Sequence, residues 1–329
     1  MMQKKILGFV LLTIWINASG QNLFTENFEY FSFDSAIIAD SQEDYRRNWR
    51  TEHAVNKLDI NQDSRIDAWE NFKSTTIVPD PENATNKVLR VELNRIAPEV
   101  YAQYFCDDLD GMNVFDLQEI EQRYQEDKDS YCLNCKNSPL AEKRNYWRNR
   151  MNRNELATLG YYRKLFKPKR DYWVGMKTYL PEDFEFEQNG NPEIIAQFHI
   201  TEKFMDYPPA AIRILNDRFV LVLIKDNTGE QQQIDLGEAI RGEWDKWKIR
   251  INLTRNRRKG NIQIWRNDEL KFEQTGPNIF SNYRYYFKFG IYKWAWWNCY
   301  FPTSNTDSRV ILFDDIWIDK QDLELIETP

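Results

Sequence analysis

Long apolar runs, excess positive charge, histidine and cysteine are all scarce in this chain, and each scarcity excludes something. Beyond the first twenty residues, no stretch approaches the roughly 18 apolar residues that a membrane-spanning helix needs. The charged residues comprise 44 Lys and Arg against 51 Asp and Glu, a formal net charge of −7. An acidic chain has no long-range field to draw in a polyanion, so nucleic acid is excluded as a partner class. A polyanion remains admissible only where positive charge is gathered into a cleft. There are two histidines, His53 and His199, and four cysteines, Cys106, Cys132, Cys135 and Cys299. Cys132 and Cys135 have the spacing of half a zinc site, but no second pair completes it. Internal repeats and low-complexity linkers are also missing, which argues for one mature domain.

The first twenty residues stand apart from the rest. Lys4 and Lys5 precede an apolar run from Ile6 to Ile16, and Ala18-Ser19-Gly20 supplies small residues before Gln21. That is the layout of a secretory signal peptide over residues 1–20, too short to span a membrane. No cysteine follows the expected cleavage point, so no lipid anchor is expected. The chain is read as a secreted or periplasmic protein, a monomer, with residues 21–329 as a single domain. In such a compartment the four cysteines are expected to form two disulfides, for which three connectivities are open.

From about residue 170 onward the pattern is β. Tyr172–Tyr179, Ile194–Ile200, Ala211–Leu215, Phe219–Ile224, Trp247–Leu253, Asn261–Trp265, Tyr285–Tyr292 and Val310–Ile318 are short and rich in β-branched and aromatic residues. Turn-forming clusters such as 181–183, 216–218, 227–229 and 266–268 separate them. Val88–Leu93 reads as a further strand, and Leu23–Tyr30 as the start of a sheet. Strands so spaced, without alternating helices, predict an all-β fold, an antiparallel sandwich or jelly roll. Residues 41–73, charged and helical in character, and residues 107–150, polar with a helical run near Phe115–Tyr124, are expected to be insertions on it.

Residues 285–294, Tyr-Tyr-Phe-Lys-Phe-Gly-Ile-Tyr-Lys-Trp, carry the most functional information. Side chains alternate along a strand, so Tyr286, Lys288, Gly290 and Tyr292 share one face and Phe287, Phe289 and Ile291 the other. One row suits a core. The other offers a cation, a gap at Gly290 and two phenols to a polar ligand. Gln197 and His199, two apart on another predicted strand, likewise share a face, and Arg153-Asn-Glu155-Leu is a third polar segment.

The ordered set of motifs resembles the polysaccharide lyase family that includes heparin lyase I and the glucuronan lyases. The pieces are Tyr-Trp-Val-Gly…Tyr-Leu-Pro-Glu-Asp-Phe (172–184), Ile-Ile-Ala-Gln-Phe-His (194–199), Pro-Pro-Ala-Ala-Ile-Arg (208–213) and Trp-Asp-Lys-Trp (244–247). Gly-Asn-Ile-Gln-Ile-Trp (260–265) and Tyr-Phe-Lys-Phe-Gly-Ile-Tyr (286–292) follow, with Val88-Leu-Arg90-Val-Glu-Leu upstream. Jelly-roll alginate lyases share the Arg-x-Glu-Leu, Gln-x-His and Tyr-Phe-Lys-x-Gly-x-Tyr pieces. The resemblance implies a lyase of uronic-acid polysaccharides with His199 and Tyr292 as its catalytic histidine and tyrosine. It also implies a glutamine near the amino terminus, for which Gln21, Gln42 and Gln62 all stand open.

The chemistry accounts for such a set. Elimination across C4–C5 of a uronic acid removes a weakly acidic C5 proton beside a carboxylate, whose charge must be neutralised as enolate character develops. Gln197, Lys288 and Arg153 can donate to that carboxylate, Arg in bidentate fashion. His199 and Tyr292 are the candidates to take the C5 proton and to protonate the O4 leaving group. A tyrosine, with an ordinary pKa of about 10, needs a nearby cation for this work, and Lys288 is the expected one. Arg90 and Tyr286 are expected to join Arg153 in holding an anionic polysaccharide. The competing classes are an alginate lyase, a non-catalytic carbohydrate-binding jelly roll, which needs no acid and base, and a sandwich-fold glycoside hydrolase. The last needs paired carboxylates, and no Glu-x-Asp-x-x-Glu set is present.

A separate motif points to calcium. Asp59-Ile-Asn61-Gln-Asp63-Ser-Arg65-Ile-Asp67-Ala-Trp-Glu70 has oxygen side chains at loop positions 1, 3, 5, 9 and 12 of an EF-hand, with Arg65 offering its carbonyl at position 7. Ser64 stands where glycine normally makes the turn. A single copy is expected to bind one structural Ca2+. No organic cofactor is expected.

Overall fold

Residues with two kinds of neighbour alternate along most of the chain, and this alternation sets the architecture. In 244–252, Trp247, Ile249 and Ile251 are buried while Lys246, Lys248 and Arg250 keep partial exposure. That is the signature of a strand with one face in a core. The computed structural model describes residues 24–26, 50–52, 75–94, 153–157, 166–167, 169–200, 208–224, 230–256, 258–279, 285–297, 304–306 and 308–320.

These residues form fifteen strands. In chain order they are β1 (Phe24–Glu26), β2 (Arg50–Glu52), β3 (Thr75–Pro79), β4 (Lys87–Asn94), β5 (Arg153–Ala157), β6 (Asp171–Tyr179), β7 (Glu193–Ile200) and β8 (Ala210–Leu215). There follow β9 (Arg218–Ile224), β10 (Gln231–Glu238), β11 (Trp244–Asn252), β12 (Asn261–Arg266), β13 (Glu269–Thr275), β14 (Tyr285–Tyr292) and β15 (Ser308–Asp319). A single 3-10 turn, Trp294–Trp297, follows β14. One sheet has the order β13-β12-β11-β6-β15-β4-β3, with β1 added on β15, and the other β10-β9-β8-β7-β14-β5-β2. The strand ladders are antiparallel throughout, and the fold is an all-β sandwich of jelly-roll type. We call the first the back sheet and the second the front sheet.

The core lies between them. Phe287, Phe289 and Ile291 of β14 are fully buried, as are Val174 and Met176 of β6 and Phe313 of β15. Phe289 meets Phe313 across the gap at 5.2 Å between ring centroids, and Phe219 meets Trp247 edge-on at 5.0 Å. The Trp247 indole, fully enclosed, donates to Thr178 Oγ1 at 2.9 Å, which removes the cost of burying its N–H. The apolar row expected for β14 is thus the centre of the sandwich, and its polar row is the outward face of the front sheet.

Two expectations change. Part of 41–73, read as a helical insertion, is strand β2, which pairs with β5 through Arg50↔Ala157 and Glu52↔Glu155. Three residues at a sheet edge carry too little alternation to be recognised. The strands missed outright, β3, β10 and β13, are also edge strands. Gln231–Glu238 and Glu269–Thr275 are polar and charged, which protects an exposed edge and erases the apolar signal. The signal peptide, the 107–150 insertion, all four cysteines and the whole 59–70 loop lie outside the described residues.

Candidate active site

The outward row of the front sheet is assembled by register. β14 lies between β7 and β5, setting Tyr286 opposite His199 and Lys288 opposite Gln197 on one side. On the other side it sets Lys288 opposite Ala157, Gly290 opposite Glu155 and Tyr292 opposite Arg153. Directly paired residues share a face. His199, Gln197, Tyr286, Lys288, Glu155, Arg153 and Tyr292 therefore form one continuous patch, drawn from three segments far apart in sequence. A bulge breaks the β14–β7 ladder between Phe289 and Tyr292, where Gly290 takes φ +128°. This glycine is not a gap for ligand. A Cβ there would overlap the Asn154 carbonyl oxygen and lie 2.8 Å from Glu155 Cα, so its absence lets β5 close on β14.

Glu155 is the hub of the patch. It is 1% exposed and accepts a short hydrogen bond from Gln197 Nε2. Its other oxygen lies 3.7 Å from Lys288 Nζ and 3.6 Å from Arg153 Nη1. Gln197 and Lys288 are themselves 2% and 1% exposed. A buried carboxylate between two cations and an amide satisfies charges that would otherwise be prohibitive in a sheet interior. Asn154 ties the same strand to the back sheet, accepting from Thr75 Oγ1 at 3.0 Å and donating to the Glu92 carbonyl at 2.9 Å.

The groups with access to solvent lie at the two ends of the row. His199, half-buried, packs its ring 5.4 Å from that of Tyr286, over which Lys288 Nζ lies at 5.5 Å. Tyr292, also half-buried, has the Arg153 guanidinium 4.0 Å from its ring centroid and the Trp294 ring at 5.6 Å. Arg213 of β8 faces the same corner, its guanidinium 4.9 Å from the Trp294 ring and its Nη1 donating to Gln231 Oε1 at 3.3 Å. Burial holds the Arg213 pKa down at about 10, and the Tyr292 phenol opposes that shift, so Arg213 stays cationic at neutral pH.

Behind Tyr292 the chain is anchored by a buried ionic cluster. Lys293, fully enclosed, lies 3.0 Å from Glu187 and 3.7 Å from Glu193, and Arg309 bonds Glu193 at 2.9 Å and lies 3.4 Å from Glu187. Burial lowers the Lys293 pKa, against the pull of the two carboxylates. Burial raises that of Glu187, but the Ser304 hydroxyl and Lys293 outweigh it and leave a net lowering.

Two expectations are revised. Arg90 does not join the patch: it lies on the outward face of β4 in the back sheet, paired with Glu92 at 2.5 Å, while Leu89, Val91 and Leu93 face the core. Lys288 was expected to serve Tyr292, but it ion-pairs with Glu155, and the guanidinium directly over the Tyr292 ring is that of Arg153. His199 and Tyr292 lie on one face, with the Lys288–Gln197 pair between them in the ladder. Sequence reasoning assigned no role to Glu155, Arg213 or Trp294, although all three stood inside quoted motifs. Among the described residues no group of three or more His, Cys, Asp or Glu is placed to hold a metal ion.

A sandwich bearing an outward row of His, Tyr, Arg and a buried Lys–Glu pair is a setting for acid–base chemistry on an anionic ligand. The chain belongs to the polysaccharide lyase family, whose profile matches residues 111–317, and it is a lyase. The endo-β-1,4-glucuronan lyase of the fungus Trichoderma reesei has a similar structure, with a TM-score of 0.53 at 12% identity over 92% of this chain and 100% of that one. An alginate lyase of Pseudomonas aeruginosa aligns with a TM-score of 0.39 at 17% identity, over 51% of this chain and 74% of that one, and adds nothing to the fold assignment. No curated protein matches the chain in sequence.

Proposed function

We propose that this protein is an exported lyase that cleaves a uronic-acid polysaccharide, glucuronan-like in backbone, by β-elimination. The observation that carries this reading is the Arg153 guanidinium stacked 4.0 Å over Tyr292, on the same sheet face as His199 and the buried Glu155 hub. Arg153 is the accessible cation of the hub and is the group to receive the C5 carboxylate, in a bidentate contact that strengthens as charge moves onto it. Tyr292 and His199 share the proton transfers. One takes the proton from C5, the freed electron pair forms the C4=C5 double bond, the C4–O4 bond breaks, and the other gives O4 its proton. Lys288 and Gln197, sealed from solvent, act as positioning residues: they fix Glu155, which fixes Arg153. Tyr286, 8% exposed, packs beside His199 across the strands.

Export over residues 1–20 suits a polymer too large to enter a cell, and one Ca2+ in the 59–70 loop suits an extracellular fold. The test is incubation of purified protein with glucuronan, alginate and heparin-type chains, following the ultraviolet absorbance of the unsaturated uronate end. Glucuronan should give the fastest rise. Absence of unsaturated product from every polyuronate overturns the reading, and a clear preference for alginate or a sulfated chain corrects the substrate.

A further inference from the structure

The corner beside Tyr292 holds a cation to which the elimination gives no task. Arg213 of β8 is 8% exposed, and its guanidinium lies 4.9 Å from the Trp294 ring. Its Nη1 donates to Gln231 Oε1 at 3.3 Å. Its Nε is enclosed without an acceptor, and no carboxylate among the described residues pairs with the side chain. The four other buried cations of the described residues are each matched by a carboxylate oxygen. Arg266 has Asp245 at 2.6 Å, Lys288 has Glu155 at 3.7 Å, Lys293 has Glu187 at 3.0 Å and Arg309 has Glu193 at 2.9 Å. Arg213 is the exception.

A buried charge without a counter-ion costs stability, and one ring face and one amide offset only part of that cost. The acids nearest in register are already engaged. Asp235, in the same cross-strand row through Val220, is bonded by Arg218 at 2.6 and 2.9 Å, and Glu193, opposite Ile214, by Arg309. A fixed guanidinium with a donor still to place suits an anionic group brought by a ligand.

The ladder sets this donor relative to the cleavage point. Tyr292 pairs with Arg153 on one side and Ile194 on the other, and Ile194 pairs with Arg213. Arg153 and Arg213 thus flank Tyr292 in one row of one face, three strand spacings or about 14 Å apart at the backbone. Each rests on its own ring, Arg153 on Tyr292 and Arg213 on Trp294, and those rings lie 5.6 Å apart. A polyanion laid across the strands can therefore give one carboxylate to each arginine.

We propose that Arg213 is a specificity-determining residue that binds the carboxylate of a second uronate, in the same chain as the one being cleaved. It favours polymers with a run of uronates over chains in which a lone uronate stands among neutral sugars. The contact is remote from C5 and is made equally in the ground and transition states, so it acts on KM more than on kcat. The identity of the sugar rests on the proposed function, and the test keeps the two apart.

Calorimetric titration of tetraglucuronate into the His199→Ala protein, which leaves the sugar uncut, reads the contact apart from the chemistry. Adding Arg213→Gln should weaken binding by roughly tenfold, the worth of a charged hydrogen bond, and Arg213→Lys should recover part of the loss. The comparison ligand is a tetramer of the same linkage with one glucuronate among three glucoses, which cannot fill both arginines. Against it Arg213→Gln should leave Kd unchanged, whereas a merely structural role would weaken both ligands alike. In the otherwise wild-type enzyme Arg213→Gln should raise KM on glucuronan more than it lowers kcat. Arg213→Gln removes an unmatched buried charge and should melt no lower than its parent. If it melts early, the preference of the His199→Ala protein for tetraglucuronate over the single-uronate tetramer carries the test. Undiminished binding of tetraglucuronate by Arg213→Gln, an equal loss for both tetramers, or no preference in the parent overturns the proposal. Absence of unsaturated product from every polyuronate overturns the proposed function instead, and the titrations, which need no turnover, still decide the Arg213 site.

Discussion

At the residue scale the site divides by solvent access. His199, Tyr292 and Arg153 can touch a ligand; Lys288, Gln197 and Glu155 cannot, being 1–2% exposed. His199→Ala and Tyr292→Phe should each lower kcat by at least about a hundredfold, the usual worth of a positioned acid or base. Thermal melting should be unchanged, since both side chains lie at the rim, and near-normal turnover in both variants would contradict their roles. Lys288 differs. Lys288→Met leaves the buried Glu155 carboxylate with one cation in place of two, and breaking such a pair costs on the order of 3–5 kcal/mol. The variant should melt well below the wild type as well as lose activity. Adding Glu155→Gln should recover part of the melting temperature, because the fully buried carboxylate is then gone and only Arg153, which solvent reaches, loses its hub partner. Additive losses in the double variant would mean that the 3.7 Å contact carries no coupling.

At the element scale, strands in the middle of each sheet were legible because both their rows have a job. Tyr285–Tyr292 has an apolar row facing the core and a polar row facing out, and the structure reproduces its ends. Arg153–Ala157 was recognised only as a motif, since five residues with two polar heads do not show their period. β15 carries an element-scale prediction. A bulge at Asp314–Trp317 and the left-handed turn of Asp315 (φ 46°) bring two aspartates side by side, near Lys177 and Asn86. Burial, then the charge of Asp315, pushes the Asp314 pKa from 3.8 up to about 7. The folded state therefore keeps a proton that the unfolded chain has released, and stability from this group is lost as pH rises through about 7. Because the loss builds up from the unfolded pKa of 3.8 to the folded value of about 7, Asp314→Asn should raise the melting temperature most at pH 8, less at pH 5, and hardly at all below about pH 4. A lower or unaltered midpoint at pH 8 would show that the carboxylate is compensated there.

At the scale of the whole molecule, the front face of an acidic chain brings two cations to one corner, Arg153 over Tyr292 and Arg213 over Trp294. The calcium proposal also acts on the molecule as a whole, because an ion bound only by the folded state raises stability by mass action. Melting in excess Ca2+ should occur at a higher temperature than in excess chelator, and Glu70→Gln, which removes the expected bidentate ligand, should abolish the difference. Identical midpoints in both conditions would make the 59–70 loop an acidic surface segment and nothing more.

The sequence by itself determined the fold class and the row of side chains on each face of β14. Both follow from alternation along a strand, which is a local property of neighbouring residues. The same local pattern placed Gln197 beside His199 without reference to any other strand. What only the tertiary structure decided was which strands lie side by side. Setting β5 against β14 made Glu155 the partner of Lys288, closed the gap at Gly290, and turned Arg153 onto Tyr292. Placing β4 in the other sheet removed Arg90 from the site. Strand order joins segments more than a hundred residues apart, and the burial of a charge depends on the groups those segments bring to it. No window along the chain contains either.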